Sequence, residues 1–180
     1  MIIFDTETTG LVQPATVPLT QQPQIIEFAA IKVDSKLKVI DRLEFKCNPG
    51  RPLPEIITKI TGITDADLKN EKPFSHYYMD VANLFLGERA ALAHNFPFDR
   101  DLLTFELRRI NKGRNFPWPI QHICTVELTR HITGKFMKLT ALYEHAFGKK
   151  LDQKHRAMDD VEDLLEVCKW LKKQGILEVP

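Results

Sequence analysis

The sequence predicts an α/β fold, a five-stranded mixed sheet flanked by helices, and three observations carry that prediction. Three strand-like segments open the chain with only a loop and a short turn between them. Two further strand-like segments each lead directly into a helical pattern, and the last segment is a long amphipathic helix. No repeat, low-complexity tract or linker interrupts the 180 residues, so residues 1–180 are expected to form a single domain.

The first strand rests on Ile2, Ile3 and Phe4, with Gly10 as the turn that ends it. Side chains alternate along a strand, so Asp5 and Glu7 project from one face and Phe4 and Thr6 from the other. The segment Leu11 to Gln24 holds three prolines and no helical or strand period, which makes it a loop. Ile25–Val33 and Val39–Cys47 are the second and third strands, joined by the hairpin DSKLK, and the three are expected to pair antiparallel. A short helix starts near Leu53 and closes at Gly62, and a longer one runs from Pro73 to Gly87. Arg89–Asn95 is a compact buried strand. The helix after it, FPFDRDLLTFELRRIN, sets Leu102, Leu103, Leu107 and Ile110 on one side, which suggests a parallel crossover. A fifth strand, IQHICTV, ends at Thr125; helical LTRHIT follows, then a helix through Leu139, Leu142 and Phe147 to Gly148. The final helix places Ala157, Val161, Leu164, Leu165, Cys168 and Leu171 on one stripe and ends at Gly175.

Composition narrows the function classes. With 43% hydrophobic and 27% charged residues and no long apolar run, no membrane span is expected. The N-terminus lacks a secretion signal, so the expected compartment is the cytoplasm. Cys47, Cys124 and Cys168 are too few and too scattered for a disulfide framework or a thiolate zinc site, and are read as reduced core thiols. A net charge of +1 excludes a protein that coats long duplexes but not a small nucleic-acid site. Basic residues gather at Arg108, Arg109, Lys112 and Arg114, and at Lys149, Lys150, Lys154 and Arg156, as solvated helix ends or as phosphate contacts.

The acids carry the chemistry. A carboxylate pair at the end of a buried strand is costly unless a cation or proton neutralises it, although an isolated D-x-E is usually a solvated strand end. Asp160 lies one turn from Leu164 and two from Val167, and Asp99 precedes Leu102, Leu103 and Leu107, so both lean toward the sheet. Either alone is common in a first helical turn. With Asp5 and Glu7 they form four carboxylates expected to converge on one end of the central strand, an all-oxygen set suited to Mg²⁺ or Mn²⁺. Two such ions can hold an attacking and a leaving oxygen in line at phosphorus. His155, five residues before Asp160 and just outside the helix, is largely free at neutral pH to accept a proton from a metal-bound water, although a lone loop histidine is usually only a surface residue. The other histidines show no metal-ligand spacing.

Three stretches, FDTETTG (Phe4 to Gly10), HNFPFDRDLL (His94 to Leu103) and HRAMDD (His155 to Asp160), resemble in order and spacing the motifs of the DEDDh, DnaQ-like 3′→5′ exonucleases. That family includes the proofreading ε subunit of bacterial DNA polymerase III and ribonuclease T, and the resemblance spans nearly the whole chain. ITGIT at Ile60 to Thr64 also looks like a family element, or equally like a helix-ending turn. The resemblance implies a ribonuclease H-like fold and two divalent ions. Asp5, Glu7 and Asp160 would hold the first, Asp5 would bridge to the second, and Asp99 would support the second through water. His155 would be the general base, as its H-x-A-x-x-D setting marks the histidine branch of the family. Thr6, Thr8, Asn95 and Phe98 would bind the terminal nucleotide, and the product would be a nucleoside 5′-monophosphate.

The expected activity is a 3′→5′ exonuclease on single-stranded ends, DNA favoured over RNA. An exoribonuclease or oligoribonuclease is the near alternative, and an inactive polymerase-associated binding module the distant one. The intact set Asp5, Glu7, Asp99, His155 and Asp160 argues against inactivity. The chain carries no polymerase pattern, so a DNA polymerase partner is expected to be a separate chain. The loop from Leu11 to Gln24 is either a stiff flap beside the terminal base or, more plainly, a tolerated insertion. Trp118, between prolines, either stacks on a base or packs in the protein.

Overall fold

The computed structural model describes residues 1–153 and 155–180, with Thr133 by its backbone alone. Lys154, one member of the second basic cluster, lies outside the described residues. The strands are β1 (Ile2–Thr8), β2 (Ile25–Val33), β3 (Val39–Lys46), β4 (Ala90–Ala93) and β5 (Gln121–Cys124). The helices are α1 (Glu55–Thr61), α2 (Asp65–Leu68), α3 (Phe74–Phe85), α4 (Phe96–Arg109), α5 (Thr125–Leu128), α6 (Arg130–Thr133), α7 (Leu139–Phe147) and α8 (Ala157–Lys173).

The sheet runs β3-β2-β1-β4-β5, so the strand bearing Asp5 and Glu7 is central. β1 pairs antiparallel with β2 and parallel with β4, β2 pairs antiparallel with β3, and β4 pairs parallel with β5. The hairpin and crossover expected from the sequence are both present. β2 is buried at all but one position, which explains its nearly continuous apolar run.

Alternation along β1 sorts the core into two layers. Ile3, with Ala29, Ile31 and Leu92, packs against Val161, Leu164, Cys168 and Leu171 of α8. Ile2 and Phe4 face α3 and α4 through an aromatic layer in which Phe4 meets Phe85 and Phe96 edge-on, with ring centroids 5.6 and 5.7 Å apart. Trp118 belongs to this layer, 5.7 Å from Phe85 and 4.9 Å from Phe116, so it packs in the protein. Cys47 and Cys168 are buried thiols, and Cys124 is half-buried; all three are free.

Several boundaries differ from the sequence reading. The fourth strand stops at Ala93 because Asn95 adopts φ +66°, a left-handed conformation that asparagine tolerates and that turns the chain into α4. The fifth stops at Cys124, and Thr125 opens α5. LTRHIT lies across two single turns separated at Thr129. α2 was not expected: Thr64 and Asp67 form a reciprocal capping box that stabilises one turn too short to show a period.

The loop from Leu11 to Gln24 is held from outside and within. Arg109 donates from Nη2 to the carbonyls of Leu19, Gln22 and Pro23, and Arg51 donates to the Gln22 carbonyl. The Gln22 side chain accepts from the Gln13 N–H and donates to the carbonyls of Gln13, Pro14 and Val17. Arg109, expected as part of a basic cluster, is thus a loop tether. No helix among the described residues is long and apolar enough to cross a membrane.

Candidate active site

At the C-terminal end of β1 the two layers part, and the acids of three elements meet there. Asp5 and Asp160 line one open cavity of about 580 Å³ together with His94, Asn95, Gln153 and His155. A Glu7 oxygen, a His155 ring nitrogen and an Asp160 oxygen all lie within 4.8 Å of one another. Asp99 approaches from the other layer. It is 2% exposed and accepts a hydrogen bond from the Thr6 hydroxyl at 2.8 Å, so alternation on β1 directs Asp5 and Glu7 one way and Thr6 toward Asp99 the other.

Asp160 is 5% exposed. Its Oδ2 accepts from Gln153 Nε2 at 2.9 Å, whereas its Oδ1 is buried with no hydrogen-bond partner among the described residues. His155 has φ +50°, a left-handed conformation that costs a non-glycine residue about 1–2 kcal/mol. Such strain persists where flanking contacts hold it.

The other expected site residues are placed as follows. Asn95 is exposed on the cavity rim, and Phe98 is half-buried against the aromatic layer. Thr6 is buried with its hydroxyl engaged by Asp99. The Thr8 hydroxyl donates to the Gly10 carbonyl at 2.7 Å, closing the turn after β1.

Burial and mutual repulsion raise the proton affinity of the cluster. Burial, then the charges of Asp99, Asp160 and Glu7, holds Asp5 well above the usual carboxylate range. Burial is also the largest cause at Glu7, raised to about 8 with Asp160 and Glu27 adding to it. Asp99 is raised to about 7 by burial, against the opposing hydrogen bond from Thr6, and Asp160 is raised by burial as well. Four acids that resist ionisation, Asp99 and Asp160 buried and Asp5 and Glu7 half-buried, with one Asp160 oxygen unpartnered among the described residues, fit a divalent cation with oxygen ligands.

A pH dependence follows. Unfolded, Glu7 and Asp99 release their protons near 4.5 and 3.8; folded and free of metal, only near 8 and 7. The folded state therefore holds more protons across that window, and stability present below pH 4 is lost as pH rises toward 8. Chelator-treated protein is expected to melt at progressively lower temperature from about pH 5 to about pH 8.5, and Mg²⁺ to cancel the loss. A flat or rising metal-free melting profile would contradict the clustering.

Three residues that the sequence left unassigned join the site. Glu27, the third residue of β2, is 0% exposed and sits opposite Glu7 in the antiparallel register. Its signal was an acid inside the apolar run of residues 25–31. Gln153 had none, being a polar residue in a loop. His94 lines the cavity, with Nε2 3.0 Å from the Met137 carbonyl and Nδ1 2.9 Å from the Thr125 hydroxyl. A carbonyl only accepts, so Nε2 carries the hydrogen and Nδ1 accepts from Thr125. Burial lowers the His94 pKa to about 4, so the ring stays neutral and holds Met137 at the cavity wall.

Comparison with known proteins identifies the family and the fold. The sequence pattern of the exonuclease family RNase_T matches residues 2–168. The DNA polymerase III PolC-type proteins of Bacillus subtilis (strain 168) and Halalkalibacterium halodurans are 33% and 34% identical, over 97% and 89% of this chain. The chain spans only 12% and 10% of their lengths. Among solved structures, the nuclease domain of 3′hExo, a DEDDh family member bound to rAMP, has a TM-score of 0.76 at 18% identity, covering 97% of this chain and 92% of that one. E. coli Exonuclease I in complex with a dT13 oligonucleotide has a TM-score of 0.75 at 20% identity, covering 97% and 41%. Exonuclease X in complex with 5′ overhanging duplex DNA has a TM-score of 0.65 at 24% identity, covering 98% and 94%. These structures share the five-stranded ribonuclease H-like fold.

Proposed function

The chain belongs to the RNase_T family of exonucleases, and from that membership we propose that it hydrolyses single-stranded DNA from the 3′ end, releasing nucleoside 5′-monophosphates. The reading treats residues 1–180 as one exonuclease unit. The observation that carries it is the buried Asp160 Oδ1, without a partner among the described residues, in a cluster of acids that burial and repulsion make reluctant to ionise without a counter-charge.

Asp5, Glu7 and Asp160 would hold one divalent ion, Mg²⁺ or Mn²⁺, and Asp5 a second with Asp99 supporting it through water. Bound there, such ions would stabilise the negative charge that develops on the phosphoryl oxygens. β1 fixes Asp5 and Glu7 by antiparallel pairing with Ala29 and Glu27 of β2, so neither backbone needs to be ordered when substrate arrives. Thr6 orients Asp99, and Gln153 orients Asp160. His155 accepts the proton of the attacking water, standing next to Glu7 and Asp160. Asn95, on the cavity wall, and Phe98, from the aromatic layer, would receive the terminal nucleotide, together with Thr6 and Thr8.

DNA is favoured because the relatives above 30% identity are DNA polymerases, and the same likeness supports editing for a DNA polymerase as the cellular setting. Matched 5′-labelled DNA and RNA oligonucleotides, digested with Mg²⁺ and with chelator, test this. A ladder shortening from the 3′ end of DNA, abolished by chelator, is expected. Preferential cleavage of RNA would transfer the assignment to an exoribonuclease. Binding without hydrolysis in either Mg²⁺ or Mn²⁺ would leave a binding module.

A further inference from the structure

We infer that Glu27 is a positioning residue that sets His155 and Asp160 against the acids of β1, by clamping the entry of α8 to the central sheet. The inference rests on the exonuclease reading only for its consequence in turnover; the clamp itself stands on geometry. Glu27 accepts from Arg156 Nε at 3.1 Å to each oxygen, from Arg156 Nη2 at 2.5 Å, and from the Ala157 N–H at 2.9 Å. One buried carboxylate thus neutralises a guanidinium and caps the first turn of the helix that carries Asp160.

The register explains why the clamp falls here. Glu27 and Glu7 are direct cross-strand partners, so their side chains leave the same face of the sheet. Two acids in that relation repel unless one is paired. Arg156 pairs Glu27 and leaves Glu7 free for the site. The distance between Glu7 and the start of α8 is then set by one rigid strand pair and one bidentate ion pair.

His155 immediately precedes the clamped residues. Its left-handed conformation, φ +50°, is held on its C-terminal side by Arg156 and Ala157, both fastened to Glu27. The Arg156 carbonyl also accepts from the Asp160 N–H at 3.0 Å, so the clamp reaches Asp160 through the first helical turn. Without it, His155 is free to relax to an ordinary negative φ and swing its ring away from Glu7 and Asp160.

The test compares Glu27→Ala and Glu27→Gln with wild type by steady-state digestion of a single-stranded DNA oligonucleotide and by amide hydrogen exchange. Glu27→Ala is expected to lower kcat about 10²-fold, the scale of a misplacement of about 1 Å, with KM little changed. Glu27→Gln keeps the shape and the acceptor for Ala157 and loses the ion pair. It is expected to fall between, about tenfold below wild type, and it carries the test by itself if the alanine variant does not fold. In both, exchange should quicken over residues 155–160 and not in β1 and β2. Wild-type kcat in either folded variant would overturn the inference. So would exchange that rises evenly across the protein while KM rises in proportion. If wild type hydrolyses nothing, the exonuclease reading fails, whereas the exchange pattern still decides whether Glu27 fastens α8.

Discussion

Asp5→Ala and Asp160→Ala are each expected to lower turnover by at least about 10³-fold while the metal-free protein melts no lower than wild type. The two halves of this result have one cause. Each carboxylate sits among other acids, so its charge is a burden on the folded state without a cation and, on the proposed function, would be needed to hold one. Removing Asp5 relieves repulsion with Asp99, Asp160 and Glu7, and removing Asp160 eliminates a buried oxygen without a partner among the described residues. For a chain of this size each kcal/mol relieved raises the midpoint by about 2–4 °C. Digestion of a labelled oligonucleotide, with melting measured in chelator near pH 8, checks both. A variant that stays active would dismiss the site assignment, and one that melts far below wild type would make the carboxylate structural instead.

His155→Ala is expected to lower kcat about 10²–10⁴-fold, the usual range for a lost general base, with single-strand affinity and Mg²⁺ stabilisation within a few-fold of wild type. The reason lies in its position at the entrance of α8, where it touches the cluster without bearing the fold's weight. His155 is only half-buried and joins neither core layer. Equilibrium binding in Ca²⁺ together with single-turnover digestion in Mg²⁺ separates the steps. Loss of binding with an unchanged rate per bound complex would reassign His155 to substrate or metal binding.

Much of the fold was legible in the chain itself, because its signals are local. Alternation in FDTETTG set Asp5 and Glu7 on one face, and apolar spacing in the last helix chose the stripe that packs on Ile3 and Leu92. The inward lean of Asp99 and Asp160 came from the same periodicities, and both are buried. Where the reading stopped short, the deciding interaction was a single hydrogen bond or torsion. α2 exists through one capping box, the fourth strand ends at one left-handed asparagine, and the loop from Leu11 to Gln24 is ordered by two arginines distant in sequence.

The chain itself carried the order of the five strands and the main helices, the face each one buries, and the inward direction of the four acids. Those follow from side-chain direction at periods of 2 and 3.6 residues, which a chain carries wherever it folds. Tertiary structure alone decided how the pieces meet. Glu27 is opposite Glu7 only because β2 pairs in that register, and it fastens Arg156 and Ala157 only because α8 returns across 129 and 130 residues of chain to the same strand end. Such contacts leave no periodic trace, since they depend on which elements become neighbours and not on the pattern within any one of them.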